Sequence, residues 1–561
     1  MKKILFALLA FFCLSAHATN YYLSDCQAGF ATGCTAGSNA NNGTSTATPK
    51  QTIAALPTLV AGDTVHLARG GVWTFASVDN LNIAWRLTAG TRSSPITYTD
   101  YQGAWCSSGA CLTQKPILTG TTGTNDCLIC VTNNGGPIHK EGITFSNIEL
   151  RAPSGSTLQY NFGVGIGNDS DYLIFDNITI SGFGLGFDIG GVNGTPDLNV
   201  SDGFNDHIVL KNSNIHDNLN IGLLATGNDV LIENNNFDLN GSGAGCGNRC
   251  HNIYLGGALP QTIYGHSSRI IVRGNTLGRS GTGGTSTCSG ISLNAHGNID
   301  SLIIENNTLD ATAGADGGCY GIDVVAADTD AETLSNVVVR GNKVINHGGT
   351  GIGMGSCVNC TIENNVVIMG DTGAEYAGIK LPDNTPGAGD ATHQAITVRN
   401  NSIYFTQGDS NSTGIQLDTY GTLHTVVSNL IVFAAASTTG HVCFRHLPLS
   451  AYVAFDYNLC YDASAFYVWS PTYSTLAAAQ AAGFDTHGKS TDPVLVATPA
   501  SGNAYSMSIQ TTSPAKDAGH PSLSSRLAYK GQRPVGTRDI GAYDFSATLG
   551  VPSSPSWVNV Q

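Results

Sequence analysis

The sequence predicts an all-β fold, a single-stranded parallel β-helix, from three observations: a recurring six-residue phrase, a repeat of about 31 residues, and an Asn fixed within each copy. The phrase is an apolar residue, two polar ones, Asn, any residue, then a second apolar one. It reads IENNNF from Ile232, VRGNTL from Val272, IENNTL from Ile304, VRGNKV from Val339, IENNVV from Ile362 and VRNNSI from Val398. Weaker copies begin at Phe145, Phe175, Leu210, Val426 and Phe455, so the marks run from Ile148 to Asn458 over ten intervals. Each copy is rich in Ile, Val, Thr and Asn and alternates apolar with polar residues, the signature of short strands joined by tight turns. Strands stacked about 4.8 Å apart, one per coil, place each apolar residue on its equivalent in the next coil, giving a solenoid of 11 or more coils. The crossover rule makes it right-handed. At the turn, Asn tolerates positive φ, and stacked side-chain amides form a ladder, so Asn235, Asn275, Asn307, Asn342, Asn365, Asn401, Asn429 and Asn458 read as structural.

Taken in order, the chain opens with Lys2 and Lys3, an apolar run from Ile4 to Leu14, and Ala16-His17-Ala18, a small-x-small cleavage site. Residues 1–18 read as a secretory leader too short to span a membrane, and the mature chain as secreted or periplasmic with no membrane span. Residues 19–60 are polar and Gly-rich and end in PKQTIAALPTLVAGDTV, an amino-terminal cap with a short helix. The β-helix occupies 61–465, a carboxy-terminal cap 466–545, and a Ser- and Pro-rich disordered tail 546–561. The cap follows from the fold, because the last coil otherwise exposes strand edges and core to water.

Net charge is −15, which repels nucleic acid and anionic lipid. A polyanionic substrate then needs a bound cation or a local basic patch. The 12% charged fraction and 69 glycines fit a turn-rich β protein with Asn, Ser and Thr on its faces. Cys13 lies in the leader, and the other 14 cysteines form an even set, which in an exported protein means disulfides. Proximity pairs Cys26 with Cys34, Cys106 with Cys111, Cys127 with Cys130, Cys246 with Cys250, Cys357 with Cys360 and Cys443 with Cys460; Cys288 and Cys319 then bridge adjacent coils. A shared zinc site for the two CxxC pairs fails, since they lie roughly seven coils, or about 30 Å, apart.

GDTVHLARGGVW from Gly62, GTRSSPITYTDYQGAW from Gly90 and KPILTG from Lys115 resemble the amino-terminal coils of secreted right-handed parallel β-helix proteins, the pectate-lyase-like superfamily. SPAKDAG from Ser513 and GQRPVGTRDIGAYDF from Gly531 resemble the carboxy-terminal caps of such proteins. That superfamily includes lyases of acidic glycans and uronan epimerases, so the resemblance implies a polysaccharide partner. Neither the paired-aspartate and Gly-His-Gly signatures of its polygalacturonases nor the Asp and Arg motifs of its pectate lyases occur here, and no catalytic residue carries over.

A second phrase, Gly-apolar-x-apolar, marks a strand whose x points outward. Up the stack it reads Gly167, Asp188, Leu224, Tyr254, Ser292, Asp323, Gly353, Lys380 and Gln416, with Asn294 and Asp418 two positions further along their strands. Asp323 and Lys380 fall two rungs apart with Gly353 between them. Such a column suits β-elimination or epimerisation on a uronic acid polymer, which needs a cation at the carboxylate and a base for the neighbouring C–H. Lys380 is the expected base, with Asp323 orienting it or placing Ca²⁺; Tyr254 with His251 or His296 is the rival acid/base pair. Ser292, Asn294, Gln416 and Asp418 are expected to bind substrate. Asp328, Asp330 and Glu332 offer alternate oxygen ligands for Ca²⁺. The alternatives are a polysaccharide hydrolase and a non-catalytic glycan-binding or adhesive surface protein, in each case a monomer.

Overall fold

A computed structural model describes residues 18–25, 34–75, 90–106, 110–120, 127–131, 140–153, 162–167, 170–190, 205–243, 246, 250–256, 267–281, 290–312, 320–326, 331–347, 349–370, 377–381, 390–406, 412–417, 421–434, 440–463, 465–468, 472–499 and 506–546. The leader expected at 1–18 falls almost wholly outside them, and the tail from residue 547 entirely so.

The chain is a right-handed parallel β-helix. Among the described residues, three long parallel sheets run its length. The first has 14 strands, from Asn20–Leu23 to Tyr452–Asp456; the second has 13, from Val72–Phe75 to Leu459–Tyr461; the third has 12, from Cys127–Val131 to Ala465–Val468. From the strand Ile96–Tyr101 onward, each coil visits them in that order. A fourth, four-stranded sheet (Ser267–Ser268, Ile299–Asp300, Leu334–Ser335, Cys357–Val358) lines the corner between the third sheet and the first. The rung at Asn20–Leu23 pairs with Thr64–Ala68, so the first sheet starts well before residue 61.

Like stacks on like in the interior. On the third sheet Val164, Phe187, Leu223, Ile253, Leu293, Ile322, Ile352, Ile379, Ile415 and Phe444 occupy successive rungs, all fully buried. On the first sheet Tyr98, Phe145 and Phe175 stack with centroids 4.9 and 5.3 Å apart. A core that repeats every coil is what the 31-residue phrase encodes.

The Asn ladder forms as the phrase predicts. Asn275 Nδ2 donates to Asn307 Oδ1 at 2.9 Å, and the links 307 to 342, 342 to 365, 365 to 401, 401 to 429 and 429 to 458 each measure 3.0 Å. Each amide oxygen also accepts the backbone N–H of the ladder Asn before it, for example Asn275 N–H at 2.9 Å. The turn differs in one detail: positive φ falls on the residue before each ladder Asn, at Asn234, Gly274, Asn306, Gly341, Asn364 and Asn400. The ladder Asn satisfies the turn's polar groups while its neighbour supplies the left-handed bend.

Five disulfides join Cys106–Cys111, Cys127–Cys130, Cys246–Cys250, Cys357–Cys360 and Cys443–Cys460 as expected. Cys34 is also disulfide-bonded; Cys26, Cys288 and Cys319 lie outside the described residues. The carboxy-terminal region has two parts. Helix Leu476–Ala481, capped by Thr475 Oγ1 accepting from Ala478 N–H, sends Ala479 and Phe484 into the main core and so closes the last coil. Residues 506–546 instead run back along the flank of the second sheet, where Met507, Ile509, Tyr529, Ile540 and Ala542 pack on Ile345, Ile368, Tyr404 and Val432. No helix among the described residues is long and apolar enough to cross a membrane.

Candidate active site

The outward column lies on the third sheet, and the observed pairing gives its register: Cys130, Gly165, Asp188, Leu224, Tyr254, Asn294, Asp323, Gly353, Lys380, Gln416, Arg445. Two expected positions change. Gly165 takes the place of Gly167, and Asn294 that of Ser292. Both errors are slips of two residues along the chain, within one rung. Ser292 is therefore not a substrate-binding residue of this column. It is fully buried at the corner between sheets, with Oγ 3.2 Å from Asn252 Nδ2. Arg445, which the sequence reading missed, follows Gln416; its strand VCFR lacks the glycine of the phrase.

Tyr254 and His296 meet in the middle of the column. His296 projects from the strand beside Tyr254, two residues beyond Asn294, and its Nε2 hydrogen-bonds the Tyr254 hydroxyl. The two rings cross at 77°, and His251 stacks on the other side of Tyr254 with centroids 5.3 Å apart. His251 Nδ1 is held by the Ile291 carbonyl at 2.7 Å, so this ring braces the phenol.

Next to Tyr254 stands Asn294, 6% exposed, whose Oδ1 has no hydrogen-bond partner among the described residues. A buried amide oxygen left unpaired costs stability and calls for a functional reason. One rung further, Asp323 is 7% exposed, and burial pushes its carboxyl up to about 7, with the Lys380 charge pulling it partly back. Its carboxyl lies over Gly353: a Cβ at residue 353 would stand 2.1 Å from Asp323 Oδ1. The space over Gly353, between Asp323 and Lys380, is thus filled by the aspartate. Asp188, two rungs before Tyr254, is likewise raised to about 7 by burial, and its Oδ1 is unpartnered.

These positions separate the expected catalytic set. Tyr254, His251, His296, Asn294 and Asp323 cluster within two rungs, whereas Lys380 lies four rungs, about 19 Å, from Tyr254. One sugar ring cannot meet both. Gln416 is buried in the rung after Lys380; Asp418, Asp328 and Asp330 lie outside the described residues. Glu332 is fully buried, with Oε1 3.3 Å from His296 Nδ1. Among the described residues no three His, Cys, Asp or Glu side chains converge as a metal site.

No family model and no curated protein matches the sequence. Solved structures match at the level of fold. They include pectate lyase Pel9A (13% identity, covering 94% of this chain and 97% of that one, TM-score 0.36). The A-module of the mannuronan C-5 epimerase AlgE6 of Azotobacter vinelandii matches at 12% identity over 77% of this chain and 90% of its own, TM-score 0.43. XylC in complex with xylose matches at 12% identity over 94% and 98%, TM-score 0.45.

Proposed function

We propose that this protein is a carbohydrate-active enzyme that performs β-elimination or C5 epimerisation on a uronic acid polymer, with Tyr254 and His296 as the proton-transfer pair. The reading rests on one observation: the Tyr254 hydroxyl bonded to His296 on the outward column of the third sheet, beside the unpartnered Asn294 amide oxygen and an aspartic acid that holds its proton near neutrality. Abstracting the proton at C5 of a uronate requires donors that neutralise the C6 carboxylate as charge develops there. The protonated Asp323 carboxyl supplies one such donor, while the unpartnered Asn294 Oδ1, an acceptor, is placed to take a sugar hydroxyl. A carboxylic acid kept neutral by its site is a proven donor of this kind. Lys380 and Arg445, two rungs apart, then serve the carboxylates of sugars further along the chain.

Hydrolysis fits less well. It requires two carboxyl groups about 5 to 9.5 Å apart. The two raised aspartates of the described column, Asp188 and Asp323, are four rungs, about 19 Å, apart. The calcium expectation keeps its place in the assay, not in the mechanism. The test follows absorbance near 235 nm while the mature protein meets a panel of uronans, with and without Ca²⁺; elimination creates an absorbing conjugated double bond. A flat trace with no change of C5 configuration by proton NMR would sink the reading and leave glycan binding without turnover.

A further inference from the structure

The acidic loop after the strand Tyr320–Val324 reads in sequence as a calcium loop, and its last acid, Glu332, lies against His296. We infer that Glu332 is the positioning residue of the proton-transfer site: it fixes His296 in the tautomer whose Nε2 accepts the Tyr254 hydroxyl proton. This rests on the reading of Tyr254 and His296 as the proton-transfer pair.

The geometry is specific. Glu332 is completely buried, and its backbone is clamped from both sides: its N–H donates to Asp390 Oδ1 at 2.9 Å, and its carbonyl accepts Ala391 N–H at 3.0 Å. The next residue is tied as well, Thr333 N–H donating to Asn298 Oδ1 at 3.0 Å. Segments of an earlier and a later coil thus hold one carboxylate at His296 Nδ1, 3.3 Å away. A carboxylate can only accept, so Nδ1 carries the hydrogen. A neutral imidazole has one N–H, so Nε2 offers a lone pair and the phenol must donate to it. The chain Glu332–His296–Tyr254 has the logic of an acid-histidine-hydroxyl triad with a phenol in the hydroxyl's place.

The proton balance follows. As Tyr254 oxygen takes the C5 proton, its own hydroxyl proton passes to His296 Nε2, and Glu332 stabilises the imidazolium. In elimination the C5–H electron pair forms the new double bond and the C4–O bond breaks. The leaving oxygen takes a proton from Tyr254, and His296 returns its proton to the phenolate. No oxidant or further reactant enters. Among the described residues, the titratable groups around the imidazole are Tyr254 and Glu332 in direct contact, His251 across the Tyr254 ring, Asp323 one rung on, and Asp390 behind Glu332.

The test is ¹⁵N NMR of histidine-labelled full-length protein, with His296 assigned by difference against His296→Gln. The expected wild-type signal is a protonated Nδ1 and a bare Nε2 at neutral pH, lost or mixed in Glu332→Gln. A wild-type Nε2–H tautomer, or no change in Glu332→Gln, overturns the inference. This readout needs no turnover, so it stands apart from the uronan assay: a flat 235 nm trace would remove the reading, not the tautomer. Where uronan is turned over, Glu332→Gln should lower kcat about 10²-fold to 10⁴-fold with KM little changed, and Glu332→Asp should recover part of the loss. A KM effect alone would also overturn it. Should Glu332→Gln fail to fold, the wild-type tautomer still decides.

Discussion

Replacing Tyr254 by Phe separates the phenol's chemistry from its packing, because the ring keeps its stack on His251 and loses only the hydroxyl that meets His296. Activity on uronan should fall at least about 10²-fold, the usual worth of a positioned acid/base group, while the melting temperature stays within a few degrees. A large drop in melting temperature would instead make the pair structural. Asp323 gives a second test. Burial raises its carboxyl from 3.8 to about 7. A raised carboxyl favours the folded state most fully below pH about 4, and that contribution disappears as pH rises through about 7. Thermal stability measured from pH 4 to 8 should therefore fall along this limb in the wild type and flatten in Asp323→Asn. Much of this column was legible in sequence because the phrase Gly-apolar-x-apolar names the outward residue without any knowledge of contacts. It failed at Ser292, where two residues of the same parity compete for the rung, and at Arg445, whose strand has no glycine to mark it. Glu332 was visible only as an acid in a loop, since its partner His296 is fixed by a fold-level contact between coils.

On the scale of elements, the ladder asparagine does what a regular turn cannot. Asn307 accepts from Asn275 N–H and Nδ2, both at 2.9 Å, and donates to the Val272 carbonyl at 2.9 Å and to Asn342 Oδ1 at 3.0 Å. Asn307→Leu strands those buried groups in the middle of the stack. With about 1 to 3 kcal/mol for each buried group left unsatisfied, a loss of about 3 to 5 kcal/mol is expected in urea unfolding, partly limited by local relaxation. The sequence announced this element plainly, because stacking forces the same residue at the same place in every coil. It also carried a pattern that the phrase alone did not explain. The second letter alternates between Glu and Arg, and on the outer face of the first sheet Glu233, Arg273, Glu305, Arg340, Glu363 and Arg399 occupy successive rungs. Arg340 pairs with Glu305 at 2.7 Å and Arg399 with Glu363 at 2.8 Å. Alternation of sign avoids the repulsion that a parallel in-register stack of like charges would create.

Over the whole molecule, the site and the carboxy-terminal segment occupy different flanks, and this separates their failures. Residues 506–546 read the left-handed positions of three coils: Asn364 Nδ2 donates to Ser525 Oγ at 2.8 Å, Asn400 Nδ2 to the Asp539 carbonyl at 3.0 Å, and Gly541 N–H to the Ser428 carbonyl at 2.8 Å. At its centre the Arg538 guanidinium, 6% exposed, bonds Asn364 Oδ1 at 2.8 Å and Asp544 Oδ2 at 3.2 Å, along with several backbone carbonyls. Sequence could assign this stretch to a cap, but nothing in it shows that it docks on a flank, because its partners are outward strand residues and turn residues of earlier coils. Removing the guanidinium leaves Asp544 buried without its counter-charge, a loss of about 3 to 5 kcal/mol for such a pair. Arg538→Ala should therefore release the segment and uncover Ile345, Ile368, Tyr404 and Val432, read as faster amide exchange in the second sheet and as early proteolysis near residue 506. Turnover on the third sheet should persist in the same variant, since the core that fixes Tyr254 and Asn294 is built by coil-on-coil stacking and not by this segment. Loss of activity in step with release of the segment would mean that the stack depends on its flank for register, and that the column is less rigid than its continuous ladder implies.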